Sequence, residues 1–120
     1  MSKYMLLLHR NPTLWTSMSP DEMQKAIEKF VRWRMKLIEL GILAGGEKLA
    51  DDAGKVIRRE QGQPRIIDGP YSEAKEILGG YFTIEAASYQ EALEHCLDCP
   101  ALDYDGTIEV RLIDEQVPKR

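Results

Sequence analysis

The chain has 120 residues, of which 43% are hydrophobic and 30% are charged, and its formal net charge is −4. These values are typical of one soluble globular domain over residues 1–120, and the acidic balance argues against nucleic acid or an anionic membrane as a partner of the whole fold. No apolar run approaches the roughly 20 residues of a membrane span, and the N-terminus is wrongly flanked for a signal peptide, so we expect a cytoplasmic protein.

The first predicted elements are a central strand and a long helix. Residues 3–9, KYMLLLH, are apolar at odd and even positions alike, which is typical of a strand covered on both faces. Ser19 and Glu22 form a capping box that begins a helix, and Gly41 ends it as a C′ residue. At 100° per residue the helix carries one broad apolar arc, in the middle of which lies Arg34. The arc comprises Met23, Ala26, Ile27, Phe30, Val31, Trp33, Met35, Leu37, Ile38 and Leu40.

The middle of the chain is predicted to be extended. Residues 42–50, ILAGGEKLA, read as a short strand or extended segment interrupted by glycines. Residues 55–60 and 63–68 flank Gly62 and predict a β-hairpin. Residues 77–86, ILGGYFTIEA, form a second strand that is apolar on both faces.

The C-terminal third is predicted to add a helix and an edge strand. Ser88 and Glu91 make another capping box, and the helix that they begin is stopped by Pro100. Residues 107–113, TIEVRLI, alternate between apolar and polar side chains. Such clean alternation indicates a strand with one solvated face, and we place it at the edge of the sheet.

The order of these elements predicts the fold class. It is the βαββαβ order of the α+β, ferredoxin-like split βαβ fold, with a β-hairpin inserted. Two helices cover only one face of such a sheet, yet both central strands are apolar on both faces. We therefore predict a homodimer of the dimeric α/β-barrel type, in which two sheets share a core. Leu6, Leu8 and Phe82, or their neighbours of opposite parity, would contribute to that core.

The stretch DGPYSEAKEILGGYFTIEAASYQEALEHCLDCP, residues 68–100, resembles the signature of the DGPF branch of the YCII-related proteins. The YMLLL strand, the SPDEM helix start and the GILAGGEKL segment also match that family, and Tyr71 replaces its usual Phe. The resemblance implies a dimeric α/β barrel of unassigned activity. Some members are encoded beside, or fused to, alternative sigma factors, which implies a regulatory context. A His–Asp pair suspected in other members, with His on the first helix, does not carry over, because no His lies between Ser19 and Leu40.

The residues from Asp68 to Gly80 are the first candidate site. Asp-Gly-Pro suits a tight turn, and turn formation alone is one interpretation. In the other, the charged side chains line a cleft for a small polar ligand, and Gly79 and Gly80 leave its floor without side chains. The predicted ligand-binding residues are Arg34, Glu47, Asp68, Tyr71, Lys75, Glu76, Gly79 and Gly80.

Arg34 is a candidate because of its position in the apolar arc. A guanidinium stays charged, so it needs a route to water or a carboxylate partner. Its stem can pack while its head reaches solvent. Alternatively it pairs with Glu47, Asp68 or Glu76, or binds a ligand anion.

His9 is the best candidate for a general acid or base, because histidine is the residue type suited to proton transfer near neutral pH. A hydrogen-bonded structural histidine is the alternative. If His9 acts in catalysis, Asp68 and Glu76 are the acidic groups that we expect beside it. A carboxylate within about 3–6 Å of His9 in a cleft would favour acid–base chemistry, and a bond to backbone would favour binding alone.

Other chemistry finds little support in the sequence. Cys96 and Cys99 form a C-x-x-C at the end of a helix, where the helix dipole disfavours a thiolate. We predict reduced cysteines, no metal and no cofactor, since phosphate-loop, dinucleotide and zinc-protease motifs are missing from the sequence. Two functions stay open: a homodimeric domain that binds a small polar ligand, and an acid–base enzyme such as a lyase, isomerase or hydrolase.

Overall fold

The computed structural model describes residues 1–52, 54–69 and 76–116. Tyr71 and Lys75 lie outside these residues, as does most of the stretch between Asp68 and Glu76. The elements in chain order are β1 (Ser2–Arg10), α1 (Pro12–Ser17), α2 (Pro20–Glu39), β2 (Leu43–Lys48), β3 (Lys55–Glu60), β4 (Gln63–Asp68), β5 (Ile77–Ala86), α3 (Tyr89–Cys96), a 3-10 helix (Pro100–Tyr104) and β6 (Thr107–Leu112).

Four of the strands form an antiparallel sheet in the order β2-β5-β1-β6. The two strands predicted to be central are central, and β6 lies at an edge as its alternation predicted. Strands β3 and β4 form the predicted hairpin as a separate two-stranded sheet. The architecture is α+β and compatible with the ferredoxin-like fold.

The ends of α2 confirm the predicted capping. The Ser19 hydroxyl accepts a hydrogen bond from the Glu22 backbone N–H at 3.1 Å, and the Glu22 carboxylate accepts one from the Ser19 N–H at 3.2 Å. At the other end Gly41 has φ +75°, which a residue with a side chain rarely adopts. The Gly41 and Ile42 N–H groups then bond back to the carbonyls of Ile38 and Leu37, which is the Schellman arrangement.

The buried core lies between the sheet and the helices, and it decides which side of each strand faces inward. Tyr4, Leu6 and Leu8 of β1 are buried against α2 and α3 together with Ile84 of β5. Phe82 points the same way, because its ring packs edge-on against Trp33 at 5.2 Å. Leu6, Leu8 and Phe82 therefore belong to the core of one chain, and only their neighbours of opposite parity are free to meet a partner.

The prediction that α2 buries a broad apolar arc is wrong, because the buried part of its surface is narrower. The buried residues of α2 are Ala26, Trp33 and Leu37, whereas Ile27, Val31, Met35, Ile38 and Leu40 are about half exposed. A helix that lies on a sheet buries a narrow strip, so residues one step further round its surface stay in contact with water.

The opposite side of the four-stranded sheet, here called the open face, is only partly covered. Met5 and Leu7 of β1 lie on it, directly opposite Thr83 and Tyr81 of β5, and all four are of intermediate burial. Thr107, Glu109 and Arg111 of β6 share this face, because they pair with His9, Leu7 and Met5. None of the described helices is long and apolar enough to cross a membrane.

Candidate functional site

Polar side chains gather at one end of the open face, where β1 ends beside the starts of β5 and β6. His9 lies near the end of β1, opposite Thr107 of β6 and Leu78 of β5. The β1–β5 register shifts between Leu8 and His9, so the ladder is irregular at this point. We call the surface around His9, Glu76, Thr107 and Glu109 the corner.

His9 and Glu109 form the central pair of the corner. The His9 Nε2 lies 3.1 Å from Glu109 Oε1, and the His9 side chain is 28% exposed. Arg111 Nη1 donates to the second oxygen of Glu109 at 3.1 Å. The hydrogen bond from Arg111, and after it the one with His9, lowers the pKa of Glu109 below its usual value. A carboxylate that stays ionised beside a partly exposed imidazole can orient the ring and balance its charge when it takes up a proton.

Glu76 belongs to the same corner. The Thr107 hydroxyl donates a hydrogen bond to Glu76 Oε2 at 3.0 Å, and Thr107 lies directly opposite His9 across the β1–β6 pair. The structure thus brings together His9 and Glu76, two of the three residues proposed for acid–base chemistry. It also adds Glu109, which the sequence analysis placed only among solvated strand positions.

Asp68 does not share this environment. It ends β4, forms an ion pair with Lys55 across the hairpin and is 81% exposed at its side chain. Glu47 lies on β2 opposite Tyr81 and is exposed. Arg34 is exposed on α2, in agreement with the interpretation that its head reaches solvent, and it forms no ion pair with Glu47, Asp68 or Glu76 among the described residues.

Gly79 and Gly80 allow close approach of the protein's own atoms. A Cβ at Gly80 would lie 2.8 Å from the Glu47 carbonyl oxygen of the neighbouring strand. A Cβ at Gly79 would lie 3.0 Å from Cδ of Arg10. The backbone of β2 and the Arg10 side chain therefore lie in the space at these two glycines where we expected a ligand.

Arg10 is the functional candidate that the sequence analysis missed. Its side chain is 13% exposed, its guanidinium lies 5.7 Å from the Trp15 ring centre, and Nη2 donates to Asp51 Oδ1 at 2.6 Å. Lys48 Nζ donates to the same oxygen at 3.0 Å, and this bond is the largest cause of the lowered pKa of Asp51. The two cations share one carboxylate oxygen, so Asp51 connects the end of β1 to the end of β2. The signal in the sequence was the position of Arg10 directly after His9.

A shallow groove of about 260 Å³ lies elsewhere, between α2 and the 3-10 helix. Trp33 forms part of its wall, and Asp98 accepts hydrogen bonds there from the Trp33 indole at 3.1 Å and from Lys36. Lys29 lies 3.9 Å from Asp103 at the other side of the groove. Its two carboxylates are paired with Lys36 and Lys29, whereas Arg32 lines it without an ion pair among the described residues. The groove includes no residue of the predicted site.

Cys96 and Cys99 are free thiols in the core. Burial raises the pKa of Cys96 to about 11 and that of Cys99 to about 12. Both are therefore protonated at neutral pH, and a protonated thiol is a poor nucleophile and a poor metal ligand. Among the described residues, no group of three or more His, Cys, Asp and Glu side chains is arranged to hold a metal ion.

Comparison with known proteins gives a family and one relative. The YCII-related domain matches residues 2–116, which is nearly the whole chain. An uncharacterized protein of Rhizobium meliloti (strain 1021) is 29% identical over 110 residues, which cover 90% of this chain and 89% of the relative. The chain is therefore similar to that relative over most of its length, and the relative's name carries no activity.

Proposed function

The chain belongs to the YCII-related family, and from this premise we propose that it is a homodimeric domain that binds a small polar ligand at the corner of the open face. The observation that supports the proposal is the convergence of His9, Glu109, Glu76 and Thr107 on one partly exposed surface. Such convergence of polar groups at the end of an apolar sheet face is typical of small-molecule sites.

The proposed ligand lies between two copies of the chain. Leu7 and Tyr81 supply an apolar floor next to the corner, and the open face of a second copy supplies the cover. The His9 ring offers a hydrogen-bond donor, and the Thr107 hydroxyl oxygen and the carboxylates offer acceptors, so the ligand carries both kinds of group. We assign the chain to the DGPF branch on residues 68–80; Tyr71 and Lys75, which lie outside the described residues, stay ligand-binding predictions from the sequence. A regulatory use of the domain rests on the family's association with sigma factors.

The test is a thermal-shift screen of small polar metabolites and carboxylates on four proteins: the wild type, His9→Gln, Glu109→Gln and Glu85→Gln. Glu85 also lies on the open face but at its far end, opposite Lys3, so its variant is a matched control. A ligand should raise the melting temperature of the wild type and of Glu85→Gln, and much less that of the other two. Equal stabilisation of all four proteins would place the ligand elsewhere, and no stabilisation by any compound would argue against a ligand site.

A second candidate function, acid–base catalysis, is favoured by the distance of 3.1 Å between His9 and Glu109. In this proposal His9 moves a proton of the substrate, and Glu109 holds the ring and balances its charge. Because its pKa lies below the ordinary value of 4.5, Glu109 stays charged and can balance the charge of the ring. Glu109→Gln should lower turnover, because the neutral amide cannot balance that charge, and turnover that survives His9→Gln unchanged would exclude the proposal.

A further inference from the structure

Helix α2 carries a second apolar surface beside its buried one, formed by Ile27, Val31, Arg34, Met35 and Ile38 and here called the outer stripe. The buried residues Ala26 and Leu37 each precede a stripe residue by one position, so the stripe lies about 100° further round the helix. Its apolar members are between 48% and 53% exposed. The other flank of α2 faces the 3-10 helix and the segment after α3, as the contacts of Lys29 with Asp103 and of Trp33 with Asp98 show. The outer stripe therefore faces away from α3.

The hairpin β3–β4 carries a matching surface, and we call this hairpin the arm. Lys55, Ile57 and Arg59 share one face of the arm with their cross-strand partners Asp68, Ile66 and Pro64. Ile57 and Ile66 lie directly opposite each other, and each is 68% exposed. A two-stranded hairpin without a packed face is marginally stable in water, so this pair needs a surface to cover it.

The arm also stands apart from the rest of the fold. It forms its own sheet, and the radius of gyration of the chain is 16.4 Å, against about 13.6 Å for a compact domain of this length. Each strand of the arm has six residues and is about 20 Å long, whereas the stripe from Ile27 to Ile38 is about 16 Å long. The two surfaces are therefore similar in length and in apolar character.

We propose that the arm of one copy packs on the outer stripe of a second copy, and that the second arm does the same in return. The contact goes beyond the proposed function and uses surfaces other than the open face. Within one chain both surfaces stay exposed, so the arm does not cover its own helix. Two complementary surfaces that do not touch within one chain can touch between two copies. In a two-fold dimer each copy then contributes one surface to each of two identical contacts.

Charge supports a second copy as the occupant. The face of the arm with Ile57 and Ile66 carries Lys55 and Arg59 against Asp68, a net charge of +1, whereas Arg58 and Arg65 lie on its other face. Glu28 and Glu39 directly follow the stripe residues Ile27 and Ile38, which places both carboxylates along the solvent side of the stripe. Neither makes an ion pair with a described residue. A basic, apolar arm thus fits an apolar stripe with an acidic border.

Arg34 fits the same arrangement. It is the cation within the outer stripe, and Asp68 is the carboxylate on the apolar face of the arm. The contact brings the two charges onto facing surfaces. There Asp68 can leave its ion pair with Lys55 and form one with Arg34 of the other copy. The pairing of Arg34 with Asp68 that the sequence suggested would then form between copies and not within one.

Cross-linking tests the contact without depending on the size of the assembly. Ile66→Cys is mixed in turn with Ile27→Cys, Val31→Cys and Ile38→Cys under mild oxidation, with the native cysteines buried and each variant alone as a control. We expect an interchain disulfide in at least one mixture and in none of the single variants. A disulfide in a stripe variant alone would show that stripe meets stripe and would overturn the proposal. So would the absence of a disulfide from all three mixtures.

A charge exchange gives an independent readout. Glu28→Lys/Glu39→Lys should weaken self-association measured by ultracentrifugation roughly three- to tenfold, since exposed ion pairs contribute little each. Adding Arg59→Glu to that chain should recover part of the loss. Glu94→Lys on α3 is the matched control and should change nothing. Equal weakening by Glu94→Lys, or no recovery with Arg59→Glu, would contradict the proposed contact, whereas the ligand response of the corner tests the proposed function separately.

Discussion

Asp98 shows how one side chain joins two elements of this fold. It follows α3 and accepts hydrogen bonds from the Trp33 indole and from Lys36, both on α2. Burial raises the pKa of Asp98, but the bonds from Lys36 and Trp33 outweigh burial, so its pKa lies below the ordinary value of 3.8. The ionised carboxylate therefore stabilises the folded state.

We predict that Asp98→Ala lowers the free energy of unfolding by about 1–2 kcal/mol, because the largely buried Trp33 N–H loses its acceptor. Asp98→Asn keeps an acceptor and should cost less. A depressed pKa adds stability that is complete above the unfolded value of 3.8 and is lost as the pH falls through the lower folded value. Urea unfolding at pH 7 and pH 3 measures both effects, and an unchanged gap between wild type and Asp98→Asn at the two pH values would contradict the role of the charge.

Residues whose contacts are with near neighbours in sequence could be predicted. Residues whose contacts are with another strand of the sheet could not. The Ser19–Glu22 box and Gly41 follow from local spacing, and the structure confirms both. Glu109 lies 100 positions from His9, and only the strand register brings their side chains together. The alternation of β6 predicts which of its side chains share a face, but it does not predict the register with β1 or which face of the two central strands is buried.

At the scale of elements, the predictable strands and helices are the long and strongly patterned ones. The strands of the arm end within the predicted residues, because Gly62 with φ +80° supplies a turn that few other residues adopt. The six-residue α1 was not predicted, since it spans under two turns and has little periodicity to detect. Its start depends on Asn11, whose side chain accepts from the Thr13 and Leu14 N–H groups.

Two adjacent glycines of β2 give a sharp test of packing at this scale. A Cβ at Gly46 would lie 2.8 Å from the Phe82 ring and 2.8 Å from the Tyr81 carbonyl oxygen, whereas a Cβ at Gly45 would meet nothing within 4 Å. We predict that Gly46→Ala costs about 1–3 kcal/mol, because β2 must move away from β5. Gly45→Ala should be neutral or slightly stabilising. Chemical unfolding of both variants checks this, and similar losses in the two would mean that the glycines serve backbone conformation and not space.

At the scale of the whole molecule, the sequence overstated how much apolar surface one chain can cover. Both central strands and a wide arc of α2 read as buried, yet the open face and the outer stripe stay partly in water. Sequence patterns record burial in the working assembly as well as in the single chain, and they do not tell the two apart. The central strands and α2 have more apolar positions than the fold of one chain covers, and this excess indicates self-association.

The open face gives the last prediction. Met5, Leu7 and Tyr81 lie on it at intermediate burial, and each 100 Å² of such surface removed from water contributes about 2.5 kcal/mol. We therefore predict that the wild type sediments as a dimer of twice 13.7 kDa at micromolar concentration. Leu7→Arg should dissociate it and also lower its helical signal, because such an interface resembles a divided core.

Leu97→Arg is the control for that prediction, because Leu97 is 74% exposed at the end of α3, on the helix side of the sheet. It adds the same charge and should leave both the dimer and the helical signal intact. A wild type that sediments as a folded monomer would show that the open face stays in water. If Leu7→Arg keeps the mass of the dimer, the copies meet through a surface other than the open face.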